Sequence, residues 1–345
     1  MEKKNLFKKT VRHLDIRRFN AIPLIEEFEH MAFQAKNLAN AAKIYETMLR
    51  DDGCTIILCL AGSLFSAGLK KIVYDLVDNN MADVIVSTGA IIVDQDFFEA
   101  LGFRHYQGTS TIDDDLLMKH GIDRIYDTFI DEDELRVCDM KVKEIADSLT
   151  PGSYSSREFI RHMGEYLHTK NRDGDSVVGA GYRKGVPIFI PAFSDCSAGF
   201  GLVYHQWEKN GEIGISIDSV KDFLELTRIK INSNDTGLLM VGGGVPKNFA
   251  QDVTVAADVL GRKVAMHKYA VQITVADERD GGLSGSTLKE AHSWGKVDRG
   301  HEQIVFSEAT IALPLIVSYA YHRKSFQARK QKNLNNFLDR GVKGE

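Results

Sequence analysis

Short runs of β-branched and other apolar residues alternate along this chain with segments in which apolar residues recur at helical spacing. Runs that are apolar on both faces are typical of strands in a parallel sheet with helices on both sides. We therefore predict an α/β fold built on a doubly wound, mostly parallel sheet. The predicted strands cover about 55–60, 82–89, 186–193, 213–217, 237–241, 270–275 and 304–306, and the clearest helices cover about 66–77, 219–229 and 307–321.

The two ends of the chain differ from this interior. Residues 22–48 show amphipathic helical periodicity, which predicts an N-terminal helical extension over residues 1–50. Residues 51–321 then form the core of a single domain, 1–345, and residues 322–345 form a basic tail. We expect the tail to be a solvated helix rather than a nucleic-acid site. Its basic residues include Arg323, Lys324, Arg329, Lys330 and Lys332.

The composition fits a soluble globular protein that binds a small molecule. The chain has 345 residues, of which 43% are hydrophobic and 26% charged, enough for a substantial core. Its net charge of -5 argues against a dedicated nucleic-acid binder. The N-terminus lacks an apolar signal segment, and no apolar run is long enough to cross a bilayer. We therefore expect a cytoplasmic protein without membrane contact.

The four cysteines are scattered and include no C-x-x-C pair. The sequence therefore suggests neither a disulfide framework nor a zinc site, and no metal is expected. We predict reduced thiols in or near the core at Cys54, Cys59, Cys138 and Cys196.

Candidate chemistry is concentrated in the heptapeptide EAHSWGK at residues 290–296. A lysine attacks carbon only as the neutral amine, and its ordinary pKa of about 10.4 leaves little of that form at pH 7. Burial against an aromatic side chain such as Trp294 disfavours the ammonium form of Lys296, and the Glu290 carboxylate can orient a cationic substrate or move protons. The alternative interpretation is a surface lysine at a helix end beside a core or interface tryptophan.

Several predicted strands end in glycine-bearing loops, notably GGGVP at residues 242–246. In a parallel sheet these loops meet at the carboxyl edge, where backbone N–H groups can approach phosphates. The dinucleotide fingerprint G-x-G-x-x-G is absent, because the spacing after Gly179 and Gly181 is wrong, and no P-loop occurs. On the glycines alone, both a nucleotide site and ordinary turns stay open.

In several blocks the chain closely resembles the deoxyhypusine synthase family, in order and spacing, over essentially its whole length. The blocks are residues 56–68, NMADVIVSTG at 80–89, PAFSD at 191–195, GGGVPK at 242–247 and EAHSWGK at 290–296. The resemblance implies a Rossmann-like fold and a homotetramer with active sites at subunit interfaces. It also implies NAD as cofactor and transfer of a 4-aminobutyl group from spermidine.

The same resemblance assigns roles to single residues near the heptapeptide. Lys296 matches the family's covalent lysine, which carries the aminobutyl group as an imine. Glu290 matches a residue that holds an ammonium group, and Trp294 matches a wall of the amine channel with a cation–π contact. Gly281 and Ser284 match the polyamine-binding region.

A second group of residues matches positions that border NAD in the family. Asp94 and Asp195 suit ribose hydroxyls, although Asp94 aligns less securely. A helix cap or a solvated loop charge is the ordinary role for such carboxylates. The matching residues are Ser63, Ser66, Thr88, Gly89, Asp94, Asp195, Gly243, Ala276, Glu308 and Ala309.

The predicted amine site also departs from the family. Phe200 and Leu283 occupy two acidic positions, Asn248 stands where the family has a histidine, and Ile92 and Val93 replace an acidic pair. Most of these changes remove a partner for a positive amine. A lost charge-assisted hydrogen bond costs about 1.5–3 kcal/mol, so the binding of unmodified spermidine is in question.

Three explanations of these departures compete. In the first, Asp277, Glu278 or Asp280 turns inward and spermidine remains the donor. In the second, the donor is a less cationic amine. In the third, the chain is a noncatalytic NAD-binding subunit, although the intact Lys296 weighs against this reading because a dead pocket need not keep its nucleophile.

The acceptor and the reaction class leave further alternatives. The aminobutyl group can pass to a protein lysine, which gives deoxyhypusine, or to putrescine, which gives homospermidine. The altered amine site favours a small-molecule acceptor. A different class, the NAD-dependent deacylases, shares a related fold but uses a histidine. His267, His292 and His301 are available, yet none has a recognisable catalytic setting.

Overall fold

The computed structural model describes residues 3–340, and these residues contain eleven strands. In chain order, β1 to β11 are Cys54–Leu60, Val84–Ser87, Tyr106–Gln107, Ile122–Ile125, Thr128–Asp131, Gly152–Tyr154, Ile188–Phe189, Ile215–Ile217, Asp235–Val241, Tyr269–Thr274 and Glu302–Phe306.

Six strands form one parallel sheet in the order β11-β10-β9-β1-β2-β7. The chain proceeds from β1 to β2 and β7 on one side, then continues through β9, β10 and β11 on the other. The predicted doubly wound parallel sheet is therefore confirmed. The strand order reverses between β1 and β9, and open α/β sheets bind ligands in the crevice at the carboxyl ends of the strands at such a point.

Two predicted strands differ in extent or place. The strand predicted at 186–193 is reduced to Ile188–Phe189, because Pro187 and Pro191 flank it and proline has no N–H to donate to a sheet. The strand predicted at 213–217 forms as Ile215–Ile217. It pairs with Gly152–Tyr154 in a separate two-stranded sheet and not in the main one. Strands β3, β5 and β4 form a small antiparallel sheet.

The helices of the described residues cover both faces of the main sheet. None of them has the length and apolar composition needed to span a bilayer. The helix predicted from residue 66 begins only at Lys70, since Gly68 has a φ of +99° that an α-helix cannot contain. In chain order, α1 to α15 are Ile22–Phe28, Phe33–Arg50, Lys70–Asp78, Phe97–Ala100, Asp114–Lys119, Glu132–Ser148, Ser156–Thr169, Val177–Lys184, Ser197–Lys209, Ser219–Ile231, Gly244–Gln251, Val253–Val259, Leu288–Ser293, Ala309–His322 and Leu334–Asp339.

Strand β1 lies at the centre of the core and is buried along its whole length. Successive side chains of a strand point to opposite faces. Accordingly, Ile56 and Leu58 pack into one hydrophobic cluster, and Ile57 and Cys59 pack into a second cluster across the sheet. The predicted N-terminal helical extension forms as α1 and α2. Helix α2 packs against α14, β10 and β11 on the first of these faces.

The C-terminal segment differs from the solvated helix expected there. Arg329 is buried, and its guanidinium lies 2.6 Å from the buried carboxylate of Asp83 at the start of β2. It also donates to the carbonyl oxygens of Asn80 and Cys54. A buried carboxylate is costly without a counter-charge, which explains why this basic segment packs against the core. Helix α15 follows and packs against α10.

Candidate active site

The backbone around Lys296 is fixed by the end of a short helix. Helix α13 begins with a capping box between Thr287 and Glu290, and Trp294 is its C-cap. Gly295 follows with a φ of +72°, a conformation that glycine adopts without strain. The Lys296 N–H donates to the carbonyl of Ala291 at 3.0 Å, so the lysine leaves the helix in a defined direction.

The Lys296 side chain is only 12% exposed and has three polar or aromatic neighbours. Its Nζ lies 2.5 Å from Asp252 Oδ1 and 3.4 Å from Asn248 Oδ1. Asn248 in turn donates from Nδ2 to Asp252 Oδ2 at 2.7 Å. The ammonium lies 5.3 Å from the centre of the Trp294 ring, within cation–π range. The lysine is therefore a recessed amine in a defined polar setting and not a solvated surface residue.

These groups open into a cavity of about 750 Å³ between helices α10 and α12 and the segment around α13. Its walls are mainly apolar, and its charged groups in the described chain are Asp252, Glu290 and Lys296. The sequence-predicted residues Asn248, Leu283, Glu290, Trp294 and Lys296 all lie here. The remaining lining residues are Val220, Phe223, Leu224, Thr227, Gln251, Asp252, Val255, Ala256, Val259, Leu260, Ser286 and Ala291.

Asp252 contacts Lys296 but was not among the site residues predicted from the sequence. It lies at the junction of α11 and α12 and forms the ion pair with Lys296. Glu290 also lines the cavity, but its Oε2 accepts the backbone N–H of Thr287 at 2.6 Å. The sequence carries one indication of Asp252, because this residue follows Asn248 by four positions and so shares its helix face. Asp252 could therefore be found once Asn248 was recognised as a site residue.

The first of the three explanations has Asp277, Glu278 or Asp280 turn inward, but none of them lines the Lys296 cavity in the part of the chain that the structure describes. Asp277 pairs with Arg279, at 2.7 Å between Oδ2 and Nη2. Asp280 accepts the backbone N–H of Gly282 at 2.6 Å, and Glu278 lies in the same exposed turn. Asp277 and Asp280 each bond to a residue of the turn in which they lie.

Lys247 lies one residue before Asn248 and is almost fully buried. Its Nζ donates to both the carbonyl oxygen and the hydroxyl of Ser286, each at 2.7 Å. Burial lowers the pKa of Lys247 to about 8, Glu290 opposes this shift, and the Lys296 cation adds to it. Lys247 thus joins helix α11 to the loop at Ser286, and among residues 3–340 no carboxylate pairs with its Nζ.

A second cleft, of about 330 Å³, lies at the carboxyl ends of β1, β9, β10 and β11. This is the place where the strand order reverses. Four residues predicted to border the cofactor lie in it, and Ser284, which was predicted for the polyamine, lies there too. The lining residues are Ala61, Gly62, Gly242, Gly243, Ile273, Thr274, Val275, Ala276, Ser284, Ser307, Glu308 and Ala309.

The residues of this cleft fit a dinucleotide. A Cβ at Gly243 would lie 2.4 Å from the Ser284 Cα, so only glycine is accommodated there. Gly62 has a φ of +93°, and the space where its Cβ would stand is open. Glycine loops of this kind let phosphates approach the backbone closely. Glu308 caps α14 through the Thr310 N–H at 2.8 Å, and its exposed carboxylate suits ribose hydroxyls as an acceptor.

Other residues predicted for the cofactor follow β1 and β2 at the same edge of the sheet. Thr88 Oγ1 lies 3.4 Å from the carbonyl oxygen of Gly62, which lines the cleft. Ser66 is buried and donates to the carbonyl of Ser63 at 2.7 Å. Gly89 packs against Cys196, since a Cβ at Gly89 would lie 2.3 Å from Sγ. These residues extend the edge beyond the cleft toward β7.

The two aspartates predicted for ribose have different environments. Asp94 is partly buried and accepts the backbone N–H groups of Ser197 and Ala198 at 3.0 and 2.8 Å, at the beginning of α9. Burial raises the pKa of Asp94 to about 6 despite these hydrogen bonds. Asp94 therefore has the helix-capping role that the sequence left open, whereas Asp195 is exposed in the loop after β7.

The remaining predicted amine-site residues lie apart from Lys296. Phe200 is 64% exposed on α9 and does not line the cavity within the described chain. Gly281 lies in the exposed turn after β10 with a φ of +71°. Ile92 and Val93, where an acidic pair was expected, are buried in the hydrophobic core.

The histidines considered for a deacylase have structural environments. His267 is buried between Thr236 and the carbonyl of Ala250, and burial holds its pKa well below the usual range. His292 bonds to the Val297 carbonyl at 2.9 Å, and the His301 ring packs on Tyr269. None of the three lines the Lys296 cavity in the described residues. The site therefore gives no support to histidine-based chemistry.

The parallel sheet, with a glycine-lined cleft at its switch point, defines a doubly wound α/β protein. Residues 23–320 match the family model described as deoxyhypusine synthase. The chain belongs to the deoxyhypusine synthase family and is an enzyme that transfers alkyl groups. The expected family and fold class are thereby confirmed.

Similar proteins extend over nearly the whole chain. A deoxyhypusine synthase-like protein from Chlorobaculum tepidum is 61% identical over 98% of this chain and 97% of its own length. One from Coxiella burnetii is 56% identical over 97% and 96%. "Probable deoxyhypusine synthase 2" from Methanosarcina mazei is 40% identical over 90% and 89%.

Among solved structures, one from Entamoeba histolytica, of a protein proposed to be a deoxyhypusine synthase, has a TM-score of 0.58. The match covers 94% of this chain and 99% of that chain, at 21% identity. At this identity the likeness concerns the fold.

Proposed function

We propose that this protein is an NAD-dependent aminobutyl transferase that takes the group from a polyamine such as spermidine and carries it on Lys296. Family membership and the position of Lys296 support the proposal. The observation that carries it is the amine of Lys296, held in an apolar cavity against Asp252, Asn248 and Trp294.

NAD, when bound, supplies the chemistry of accepting a hydride from the carbon beside the secondary amine and returning a hydride at the end. Gly243, Ala276, Glu308 and Ala309 would hold it in the cleft at the sheet edge. Helix α11 and the loop 283–286 lie between this cleft and the Lys296 cavity, because Ser284 lines the former and Ser286 the latter. NAD in the cleft and the amine of Lys296 in the cavity would thus lie on either side of helix α11 and the loop 283–286.

Lys296 exchanges amines at the oxidised carbon. Its Nζ forms a bond to that carbon, the bond to the departing nitrogen breaks, and 1,3-diaminopropane leaves. An acceptor amine then forms its own bond to the carbon and displaces Nζ. Holding Nζ in a fixed direction favours both exchanges, since a positioned amine reacts at high effective concentration.

The cavity recognises the donor through few charged groups. Glu290 is placed to hold a distal ammonium group, and Trp294 forms an aromatic wall. Leu283 and the apolar side chains of α10 and α12 contact the methylene segments. Asn248 serves as a neutral partner where the family has a histidine.

We infer that the acceptor is a small primary amine such as putrescine, so that the product is homospermidine. The changes at Leu283 and Asn248 support this inference, because they alter the amine site while keeping the lysine. We also infer a homotetramer. The exposed apolar face of α9, formed by Phe200, Val203, Tyr204 and Trp207, supports an association of subunits.

The test is an assay of the purified protein with NAD and spermidine in three arms: no acceptor, putrescine, and a protein that presents an accessible lysine. Release of 1,3-diaminopropane in every arm, with homospermidine in the second, is the expected result. Transfer only to the protein lysine would instead establish deoxyhypusine formation. No release of diaminopropane although NAD binds would contradict the proposal.

A further inference from the structure

Asp252 directs both carboxylate oxygens into the Lys296 cavity. Oδ1 lies 2.5 Å from Lys296 Nζ, and Oδ2 accepts from Asn248 Nδ2 at 2.7 Å. Asn248 Oδ1 closes the ring at 3.4 Å from the same Nζ. An aspartate at the start of a helix ordinarily caps it. At the N-cap of α12, however, Asp252 makes no side-chain cap hydrogen bond, so its carboxylate is committed to Lys296 and Asn248.

The other charged groups near Lys296 are engaged elsewhere. Glu290 caps its own helix through the Thr287 N–H, and the Nζ of Lys247 donates to Ser286. Within the described residues, Asp252 and Glu290 are the carboxylates that line this cavity, and Asp252 is the one paired with the lysine. A proton that leaves Nζ therefore has one carboxylate in direct contact.

We propose that Asp252 is a catalytic residue that takes the proton from Lys296 and passes it to the departing amine. This inference rests on the proposed function of Lys296 as the carrier of the alkyl group. Only the neutral amine of Lys296 can attack carbon. When an amine substrate displaces water from the apolar walls, desolvation disfavours both charges, and the proton moves from Nζ to Oδ1. Lys296 is then a neutral amine that lies beside the protonated carboxyl group of Asp252.

The exchange balances when Asp252 relays two protons in turn. Nζ gives its first proton to Asp252 and forms a bond to the imine carbon of the oxidised polyamine. Asp252 passes this proton to the departing nitrogen, then takes the second proton from Nζ and passes it on as well. The bond from the carbon to the departing nitrogen breaks, the amine leaves as an ammonium, and the protonated imine is now on Lys296. In the second exchange two protons of the acceptor ammonium pass through Asp252 to Nζ, which leaves as an ammonium. Asn248 is a positioning residue that fixes the orientation of the carboxylate.

The test measures the rate at which a borohydride-trappable adduct forms on Lys296 in the full-length protein with NAD and spermidine. Asp252→Asn keeps the shape of the side chain and removes the base. The adduct should form about 10²- to 10⁴-fold more slowly, the range for loss of a general base, with unchanged affinity for NAD. Asp258→Asn, an exposed position on the same helix α12, is the matched control and should form the adduct at the wild-type rate.

Chemical rescue separates a base from a structural partner. In Asp252→Ala, added formate should restore part of the adduct rate, because it can enter the vacated space as a carboxylate base. Adduct formation in Asp252→Asn at a rate within twofold of wild type overturns the inference. Slow formation of the adduct in both Asp252→Asn and Asp252→Ala, with no rescue by formate, also overturns the inference. Asp252 would then have a structural role. If the wild-type protein forms no adduct, the proposed function fails, and this inference fails with it.

Discussion

Lys247 donates from its buried Nζ to both the carbonyl oxygen and the hydroxyl of Ser286, at 2.7 Å each, and so ties helix α11 to the loop 283–286. Gly243, just before this helix, and Ser284 line the cleft proposed to hold the cofactor. Asn248 and Ser286 line the Lys296 cavity. One helix and one loop therefore separate the two cavities that the proposed reaction uses.

The first prediction concerns the stability of this partition against pH. Burial lowers the pKa of Lys247 to about 8 from 10.5. Between these values the unfolded chain binds more protons at this site than the folded chain, so the contribution of Lys247 to stability becomes more favourable as pH rises. Relative to Lys247→Met, the wild-type free energy of unfolding should rise between pH 8 and about 10, measured by urea titration. Lys289→Met, at an exposed position, should leave the dependence of the free energy of unfolding on pH as in the wild type. The same pH dependence in Lys247→Met as in the wild type would contradict the prediction.

The second prediction concerns the cofactor cleft. In Gly243→Ala the added Cβ meets the Ser284 Cα at 2.4 Å, a clash with backbone that no side-chain rotation relieves. Overpacking of this kind costs about 1–3 kcal/mol, so the affinity for NAD should fall by about 5-fold or more. Isothermal titration with NAD measures it. Gly174→Ala, whose Cβ meets nothing within 4 Å, is the control, and equal affinities in the two variants would exclude Gly243 from the cofactor site.

The third prediction concerns the apolar wall of the amine cavity. Leu283→Asp adds a carboxylate near Glu290 and Trp294, where a cationic donor passes. A charge-assisted hydrogen bond contributes about 1.5–3 kcal/mol, so the KM for spermidine should fall about 10-fold or more. Val137→Asp, exposed on α6, should leave the KM unchanged. A KM for spermidine that stays the same or rises in Leu283→Asp would place the donor elsewhere.

Phe200→Asp tests the subunit arrangement in the same assay. Phe200 lies outside the Lys296 cavity of its own chain in the described residues. A lowered KM for spermidine in this variant is expected if α9 of a second subunit reaches the cavity, as the proposed homotetramer with active sites at subunit interfaces predicts. An unchanged KM would assign the cavity to one chain alone.

The fourth prediction concerns the C-terminal segment. Arg329→Met leaves the Asp83 carboxylate buried without its counter-charge, since the two groups are 2.6 Å apart and both are buried. Breaking a buried pair by removing one partner costs about 3–5 kcal/mol. Urea unfolding should show a loss of this size, whereas Lys330→Met, at an exposed position, should be nearly neutral. A change below about 1 kcal/mol in Arg329→Met would contradict the structural account of the tail.

Much of the sheet could be predicted because its strands are continuous apolar runs. The run at 55–60 has no polar face, and only a central position in a parallel sheet buries both sides of it. The strand at 215–217 could not be placed, because a run of three residues carries no information on which strand it pairs with. Its partner is Gly152–Tyr154, a segment without apolar character of its own.

The site was predictable where a motif marks it and not where only the fold brings residues together. Lys296, Glu290 and Trp294 share one heptapeptide, and Gly243 belongs to a glycine run. Asp252 belongs to no motif, and only its spacing of four residues from Asn248 points to it, because its contact with Lys296 exists only in the folded chain. Asp94 is the opposite case: the sequence offered its carboxylate as an acceptor for ribose hydroxyls, but in the structure it caps α9.

The most direct test of the central claim is to locate the covalent intermediate. The purified protein is incubated with NAD and spermidine, reduced with borohydride and mapped by peptide mass spectrometry. The account predicts a single aminobutyl group on Lys296, and its absence from Lys296→Arg, which should still bind NAD. An adduct on another lysine, or turnover of Lys296→Arg at the wild-type rate, would contradict it.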